Sequence, residues 1–171
     1  MRIYLVGFMG SGKSFAGKQL AQILDYQFVD LDDYIEDKEC ATISDIFENR
    51  GEQAFRQLES HYLKDFDTVD NIVVATGGGT PCNDVNIKHI LANGESIYMQ
   101  ANAELLYSRL KNQKENRPLI AEKSKGELLG FISQKLEERE PYYTQATFTQ
   151  FQTQDDDDIG EKLKARLFES L

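Results

Sequence analysis

Eight residues near the start of the chain, Gly7-Phe-Met-Gly-Ser-Gly-Lys-Ser14, have the types and spacing to hold phosphate groups. They fit G-x-x-x-x-G-K-[ST], the P-loop pattern. Gly7, Gly10 and Gly12 leave room for backbone N–H groups to converge on phosphate oxygens. Lys13 brings a point charge to the β- and γ-phosphates, and the Ser14 hydroxyl can ligate Mg²⁺. The apolar run Arg2–Val6 precedes the loop, and Phe15–Leu24 continues it with helical periodicity. That helix N-terminus adds unpaired N–H groups and a positive dipole end. A glycine-rich turn carrying Lys-Ser by chance would lack these flanks. The loop therefore predicts nucleoside-triphosphate binding.

A P-loop alone does not separate a kinase from a GTPase, a motor or a sensor. In most such proteins an Asp at the end of an apolar strand orients magnesium. Here the apolar strand Ile72–Ala75 ends in Thr76-Gly77-Gly78-Gly79, with no acid. A second strand supplies carboxylates instead: Phe28-Val29-Asp30-Leu31-Asp32 places two of them beyond its carboxyl end. In an open α/β sheet that rim is where ligands bind. At i and i+2 on an extended segment, both would face one side, one serving magnesium and the other a substrate hydroxyl. The plain alternative is a capping acid with a solvated neighbour.

The other candidates are weaker singly. Gly77 to Gly79 allow a small ligand to approach backbone N–H groups closely, or simply make a flexible turn. Arg56 and Glu59 stand at i and i+3 on a helix beginning at Gly51, so they share a face and can pair, as many surface pairs do. Arg117 lies in a polar segment with Pro118 and Leu119, and Arg139 ends a helix before Pro141-Tyr142-Tyr143. Either arginine could merely be solvated.

The elements that must position these residues alternate between strand and helix, which predicts a parallel sheet with helices on its faces. Strands are expected at Arg2–Gly7, Gln27–Asp30, Asn71–Thr76, Glu95–Gln100 and Thr147–Gln152. Helices are expected at Lys13–Leu24, Leu31–Lys38, Ser44–Asn49 with Ser44 as N-cap, Gly51–Asp65, Ala103–Lys111, Lys125–Glu138 and Asp158–Ser170. The polar segment Asn112–Lys125 reads as a mobile loop. The acidic run Asp155–Asp158 reads as a helix start rather than a metal site.

With 171 residues, 40% of them hydrophobic, the chain is expected to form one domain with a real core. A net charge of −10 argues against nucleic-acid or membrane-surface partners, so an anionic ligand must be held by local basic groups. No run approaches a membrane span, and Met1-Arg2-Ile3 leads directly into a strand, so a cytoplasmic protein without signal peptide is expected. Cys40 and Cys82 have no metal or redox spacing, and with only His61 and His89 a zinc site is not credible.

In order, the features are the P-loop, Asp-x-Asp, Phe-Arg-x-x-Glu, Gly-Gly-Gly, Arg-Pro-Leu and Arg-x-Pro-x-Tyr. That order and spacing resemble the shikimate kinase family over nearly the whole chain, from about Ile3 to Ala146 and more loosely beyond. The resemblance implies a three-layer α/β/α fold with a five-stranded parallel sheet of order 2-3-1-4-5. It also implies a lid at about residues 112–125 and a substrate-binding region at about residues 31–62. The implied activity is ATP-dependent phosphorylation of the 3-hydroxyl of shikimate, with Mg²⁺, on the route to chorismate and aromatic amino acids.

Carried over by position, Gly7, Gly10, Ser11, Gly12, Lys13, Ser14 and Phe15 would hold the nucleotide, with Ser14 and Asp30 at the metal. Asp32 would grip shikimate hydroxyls nearest the attacking oxygen. Arg56 and Arg139 would bind the substrate carboxylate, with Glu59 orienting Arg56 and Gly77, Gly78 and Gly79 beside the ring. Arg117 would reach the transferring phosphoryl group from the lid, so that Lys13, Asp32 and Arg117 are the expected catalytic residues. Phe15 stands where the family commonly has a second small hydroxyl residue, which is expected to alter packing behind the loop. The segment Gln152–Asp158 lacks the basic residue expected beside adenine, leaving Arg109 as the candidate to stack on the base. Monomer is the expected state. The rivals are another acid-phosphorylating kinase, such as a gluconate kinase, and a non-catalytic P-loop sensor.

Overall fold

The structure is a computed structural model that describes residues 1–111, 120, 123–154 and 156–168. In chain order its elements are β1 (Arg2–Val6), α1 (Lys13–Leu24), β2 (Gln27–Asp30), α2 (Leu31–Glu39), α3 (Ile43–Tyr62), a 3₁₀ turn at Leu63–Phe66, β3 (Ile72–Ala75), α4 (Asp84–Asn93), β4 (Glu95–Gln100), α5 (Ala103–Leu110), α6 (Lys125–Tyr143), β5 (Phe148–Phe151) and α7 (Ile159–Phe168).

β1 is buried on both faces, which requires layers on each side of the sheet. Ile3 and Leu5 join a core made with Ala16 and Leu20 of α1 and Ile159, Leu163 and Leu167 of α7. Tyr4 and Val6 join the opposite core, with Leu31 and Ile35 of α2, Ile46 and Phe55 of α3, Leu106 and Leu110 of α5 and Leu128 and Ile132 of α6. All pairings are parallel and the strand order is β2-β3-β1-β4-β5, as the resemblance implied. Ala75 is in register with Leu5 on one side and Asp30 on the other. The P-loop, the Thr76–Gly79 segment and the start of α2 therefore leave the sheet together at its carboxyl rim.

Three expectations need correction. The N-cap of α3 is Thr42, not Ser44. Thr42 and Asp45 form a capping box in which Thr42 Oγ1 accepts from the Asp45 N–H at 3.1 Å. The box needs an acid three residues after the cap, and Ser44 has Phe47 there. The break between the two expected helices is real but is a kink within α3 at Gly51 (φ 82°, ψ 166°). Second, α6 does not end at Glu138; it runs through Pro141 to Tyr143, whose full burial anchors the last turn. Third, α4 was not expected at all. Only Ile87 and Ile90 supply its apolar face, although the Asn83 side chain caps it by accepting from the Asn86 N–H at 2.9 Å.

Of the expected lid, residues 112–119 and 121–122, Arg117 among them, lie outside the described residues. Ile120 is buried in the core beside α5 and α6.

Candidate active site

A cavity of about 1020 Å³ opens at the carboxyl rim of the sheet. Gly10, Gly12, Lys13, Ser14, Asp30, Asp32, Thr76 and Gly78 line one part of it, and Arg109, Gln152, Asp156 and Asp157 another. The P-loop forms its floor. Gly12 caps α1 at φ 91°, a left-handed conformation that suits glycine, and no side chain caps the helix. The first N–H groups of α1 have no intrahelical acceptors and are left for an anion. Lys13, 8% exposed, folds back so that Nζ donates to the carbonyls of Gly7 and Phe8, each at 2.9 Å.

Ser11 is fully buried, and its N–H donates to the Phe8 carbonyl at 3.1 Å. It shapes the loop from within. Phe15 does not pack behind the loop as expected. It is 57% exposed at the edge of the cavity, because its place in the first turn of α1 points outward.

The two aspartates share the cavity, but by a different route from the one expected. Asp30 is the last residue of β2 and the N-cap of α2, where its Oδ1 accepts from the Asp32 N–H at 3.0 Å. Asp32 therefore stands in the first turn of a helix, not at i+2 of a strand. The Asp30 carboxylate also accepts from the Ser14 hydroxyl. Capping and cavity lining are thus combined in one residue. The neighbouring Asp33 is held above the ordinary carboxyl range, chiefly by burial and then by the charges of Asp30 and Glu36.

Gly77, Gly78 and Gly79 are where distant side chains meet. A Cβ at Gly79 would lie 2.4 Å from Arg56 Nη1. One at Gly77 would lie 2.6 Å from Glu59 Oε1 and 2.7 Å from Asp32 Oδ1, and one at Gly78 would lie 3.6 Å from Arg139 Nη1. The run is therefore a close-packed junction of four charged side chains rather than a loose turn. Arg56 Nη1 donates to Glu59 at 2.6 Å, and Nη2 to Glu52 at 2.9 Å. Burial works against the Arg56 charge, but Glu59 and then Glu52 outweigh it and hold the guanidinium above its ordinary range. Glu59 is 1% exposed and also accepts from the Thr80 hydroxyl at 2.5 Å. Arg139 rests on the Phe8 ring at 5.4 Å, and its Nη1 is buried with no hydrogen-bond partner among the described residues.

On the other side, Arg109 donates to the Gly10 carbonyl at 3.1 Å and to the Thr153 carbonyl at 2.8 Å. Burial pulls its basicity down, and Asp156 opposes this. A basic residue does face the acidic segment: Lys162 of α7 pairs with Asp156 at 2.6 Å. Asp158 immediately precedes α7, in keeping with a helix start, while Asp155 lies outside the described residues. Sequence reasoning missed Thr80 and Glu52. Glu52 stands four residues before Arg56 and was legible by helical spacing, whereas Thr80 reaches Glu59 only through the fold.

The donors at Ser14 and Asp30 are a hydroxyl and a carboxylate held against each other. An all-oxygen set of this kind suits Mg²⁺, which keeps few protein ligands and shares phosphate oxygens with a nucleotide.

Comparison with known proteins gives the same picture. A family model described as "Shikimate kinase" matches residues 9–169. A shikimate kinase of Parabacteroides distasonis is 40% identical over 148 residues, covering 86% of this chain and 86% of the relative. The solved shikimate kinase of Bacteroides thetaiotaomicron superposes with a TM-score of 0.90 at 36% identity, covering 99% of this chain and 98% of that one. That of Acinetobacter baumannii, solved in complex with shikimate, gives 0.91 at 34% identity and covers 99% and 93%. With a P-loop and a capping aspartate in one cavity beside a triglycine junction, and relatives matched along nearly their full length, the chain belongs to the shikimate kinase family.

Proposed function

We propose that this chain transfers the γ-phosphoryl group of ATP to the 3-hydroxyl of shikimate, giving shikimate 3-phosphate and ADP. The observation that carries this reading is the triglycine junction, where Arg56 and Arg139 lie against Gly79 and Gly78, next to the cavity floored by the P-loop, which Asp32 and Gly78 line. Shikimate has one carboxylate and several hydroxyls. Two guanidinium groups offer forked donors to the carboxylate, and Asp32 offers acceptors to the hydroxyls.

In the reaction the bond between the γ-phosphorus and its bridging oxygen breaks, leaving its electron pair on ADP, a bond from the acceptor oxygen to that phosphorus forms, and the hydroxyl proton passes to the Asp32 carboxylate. Asp32 accepts from the hydroxyl and turns its lone pair toward phosphorus. Lys13 exchanges its carbonyl partners for the β- and γ-phosphates, and the first turn of α1 holds the chain of phosphates. Ser14 and Asp30 would hold Mg²⁺, which neutralises charge on the phosphate oxygens. Arg117, outside the described residues, would neutralise the transferring group from the lid. Arg109 and Phe15, which line the cavity, would flank the base and sugar.

The same reading has a single kinase domain acting as a cytoplasmic monomer on a small molecule, without nucleic acid or membrane as partner. Among the described residues no helix is long and apolar enough to cross a membrane. The test is ADP release coupled to a reporter, with shikimate set against a panel of hydroxy acids that includes gluconate. Turnover that depends on shikimate alone supports the reading; preference for gluconate contradicts it.

A further inference from the structure

The segment Arg139-Glu-Pro-Tyr-Tyr143 ends in a tyrosine to which the reading above gives no part. Tyr143 closes α6 one helical turn beyond Arg139, so the two side chains share a helix face. Its ring is fully buried and tilts against that of Tyr98, with centroids 5.2 Å apart. Its hydroxyl donates a 2.5 Å hydrogen bond to the carbonyl of Gly78, the middle of the triglycine junction. The Cys82 thiol donates to the same oxygen at 3.5 Å. Burial drives the Tyr143 phenol well above its ordinary range, the Cys82 sulfur adding to the effect and the Arg139 guanidinium opposing it. The hydroxyl therefore stays protonated, and a donor, at any working pH.

The two arginines at the junction are held differently. Arg56 is clamped by Glu59 and Glu52. Arg139 has an aromatic ring beneath it and a buried Nη1 without a partner among the described residues. Its place depends on how the end of α6 docks, and the Tyr143–Gly78 bond ties that end to the run which abuts Arg56. We propose that Tyr143 is a positioning residue for substrate binding, whose bond to Gly78 sets Arg139 at the separation from Arg56 that one carboxylate needs. The proposal rests on the reading of Arg56 and Arg139 as the carboxylate pair.

Tyr143→Phe keeps the buried ring and removes only the donor. It should raise the shikimate Kd and KM about 5- to 10-fold, the size of one hydrogen bond, with kcat and ADP affinity nearly unchanged. In an Arg139→Ala background the same change should add nothing to the shikimate Kd, because both act through one contact. An unchanged shikimate Kd in Tyr143→Phe, or an equal loss with and without Arg139, overturns the proposal. If Tyr143→Phe does not fold, Cys82→Ala strips the other donor from the Gly78 carbonyl and leaves the ring in place. It should weaken shikimate about 2-fold, again only when Arg139 is present, and no effect overturns the proposal. A wild-type protein that fails to bind shikimate, or an Arg139→Ala variant that binds it normally, overturns the underlying reading and this proposal with it.

Discussion

Arg56 and Glu59, one turn apart on α3, are joined at 2.6 Å, with the carboxylate buried to 1% exposure and the guanidinium against Gly79. The Thr80 hydroxyl holds the second carboxylate oxygen from the far side of the triglycine run. Glu59 thereby links α3 to the end of β3 and aims Arg56 inward. Glu59→Gln should lower stability by about 2 kcal/mol, because a buried pair loses one charge. For a chain of this size that is about 4–8 °C in Tm. The shikimate KM should rise in the same variant. Thermal melts and steady-state rates check both, and an unchanged Tm would mean that the pair contributes little.

Gly79→Ala separates geometry from charge. The new Cβ would stand 2.4 Å from Arg56 Nη1, the far end of a flexible side chain, so the guanidinium must swing away while the backbone stays. The expected outcome is a shikimate KM approaching that of Arg56→Ala, with a Tm lowered to about the extent of Glu59→Gln because the buried Glu59 carboxylate loses its partner. A wild-type KM would show that Arg56 does not need its observed place.

The arginines should divide by kinetic signature. Arg56→Ala and Arg139→Ala should raise the shikimate KM about 30- to 150-fold, since each loses a charge-assisted contact of about 2–3 kcal/mol made in ground and transition states alike. Arg117→Ala should lower kcat and leave shikimate affinity nearly intact, as loss of a contact made chiefly in the transition state does. Severe loss of shikimate binding in Arg117→Ala, with kcat unchanged, would contradict its assignment to the phosphoryl group.

The central strand, its loop and the helix after it were legible because local signals agree there: an apolar run, spaced glycines and a periodic helix. The i and i+3 pairing of Arg56 with Glu59 was legible for the same reason. Helix α4 was not, since it buries just Ile87, Ile90 and Asn86 and carries little periodic pattern. The end of α6 was misread because Pro141 signals a stop locally, whereas the burial of Tyr143 is a tertiary effect. The meeting of Arg56 from α3 and Arg139 from α6 at Gly77–Gly79 spans more than 80 positions (139 − 56) and has no local signature. Only the resemblance to a family supplied it.

Lys13→Met should leave the fold intact while reducing turnover by at least about 10²-fold, the scale of losing one preorganised electrostatic contact. The two carbonyl contacts that Nζ makes would, in the proposed reaction, be exchanged for phosphate contacts, so their loss should cost little stability. Turnover near that of the wild type would sink the P-loop assignment.

Asp32→Asn should cost far more in turnover than in ATP affinity, about 10²- to 10⁴-fold if its carboxylate takes up the hydroxyl proton. Loss of nucleotide affinity with shikimate binding retained would move Asp32 to the metal instead.

The most direct test of the account is to incubate the chain with ATP, Mg²⁺ and shikimate and locate the new phosphate by phosphorus–proton coupled NMR. The account predicts one phosphate ester, at the 3-hydroxyl, formed in step with ADP. Formation of ADP without a shikimate ester, or an ester at another hydroxyl, would contradict it.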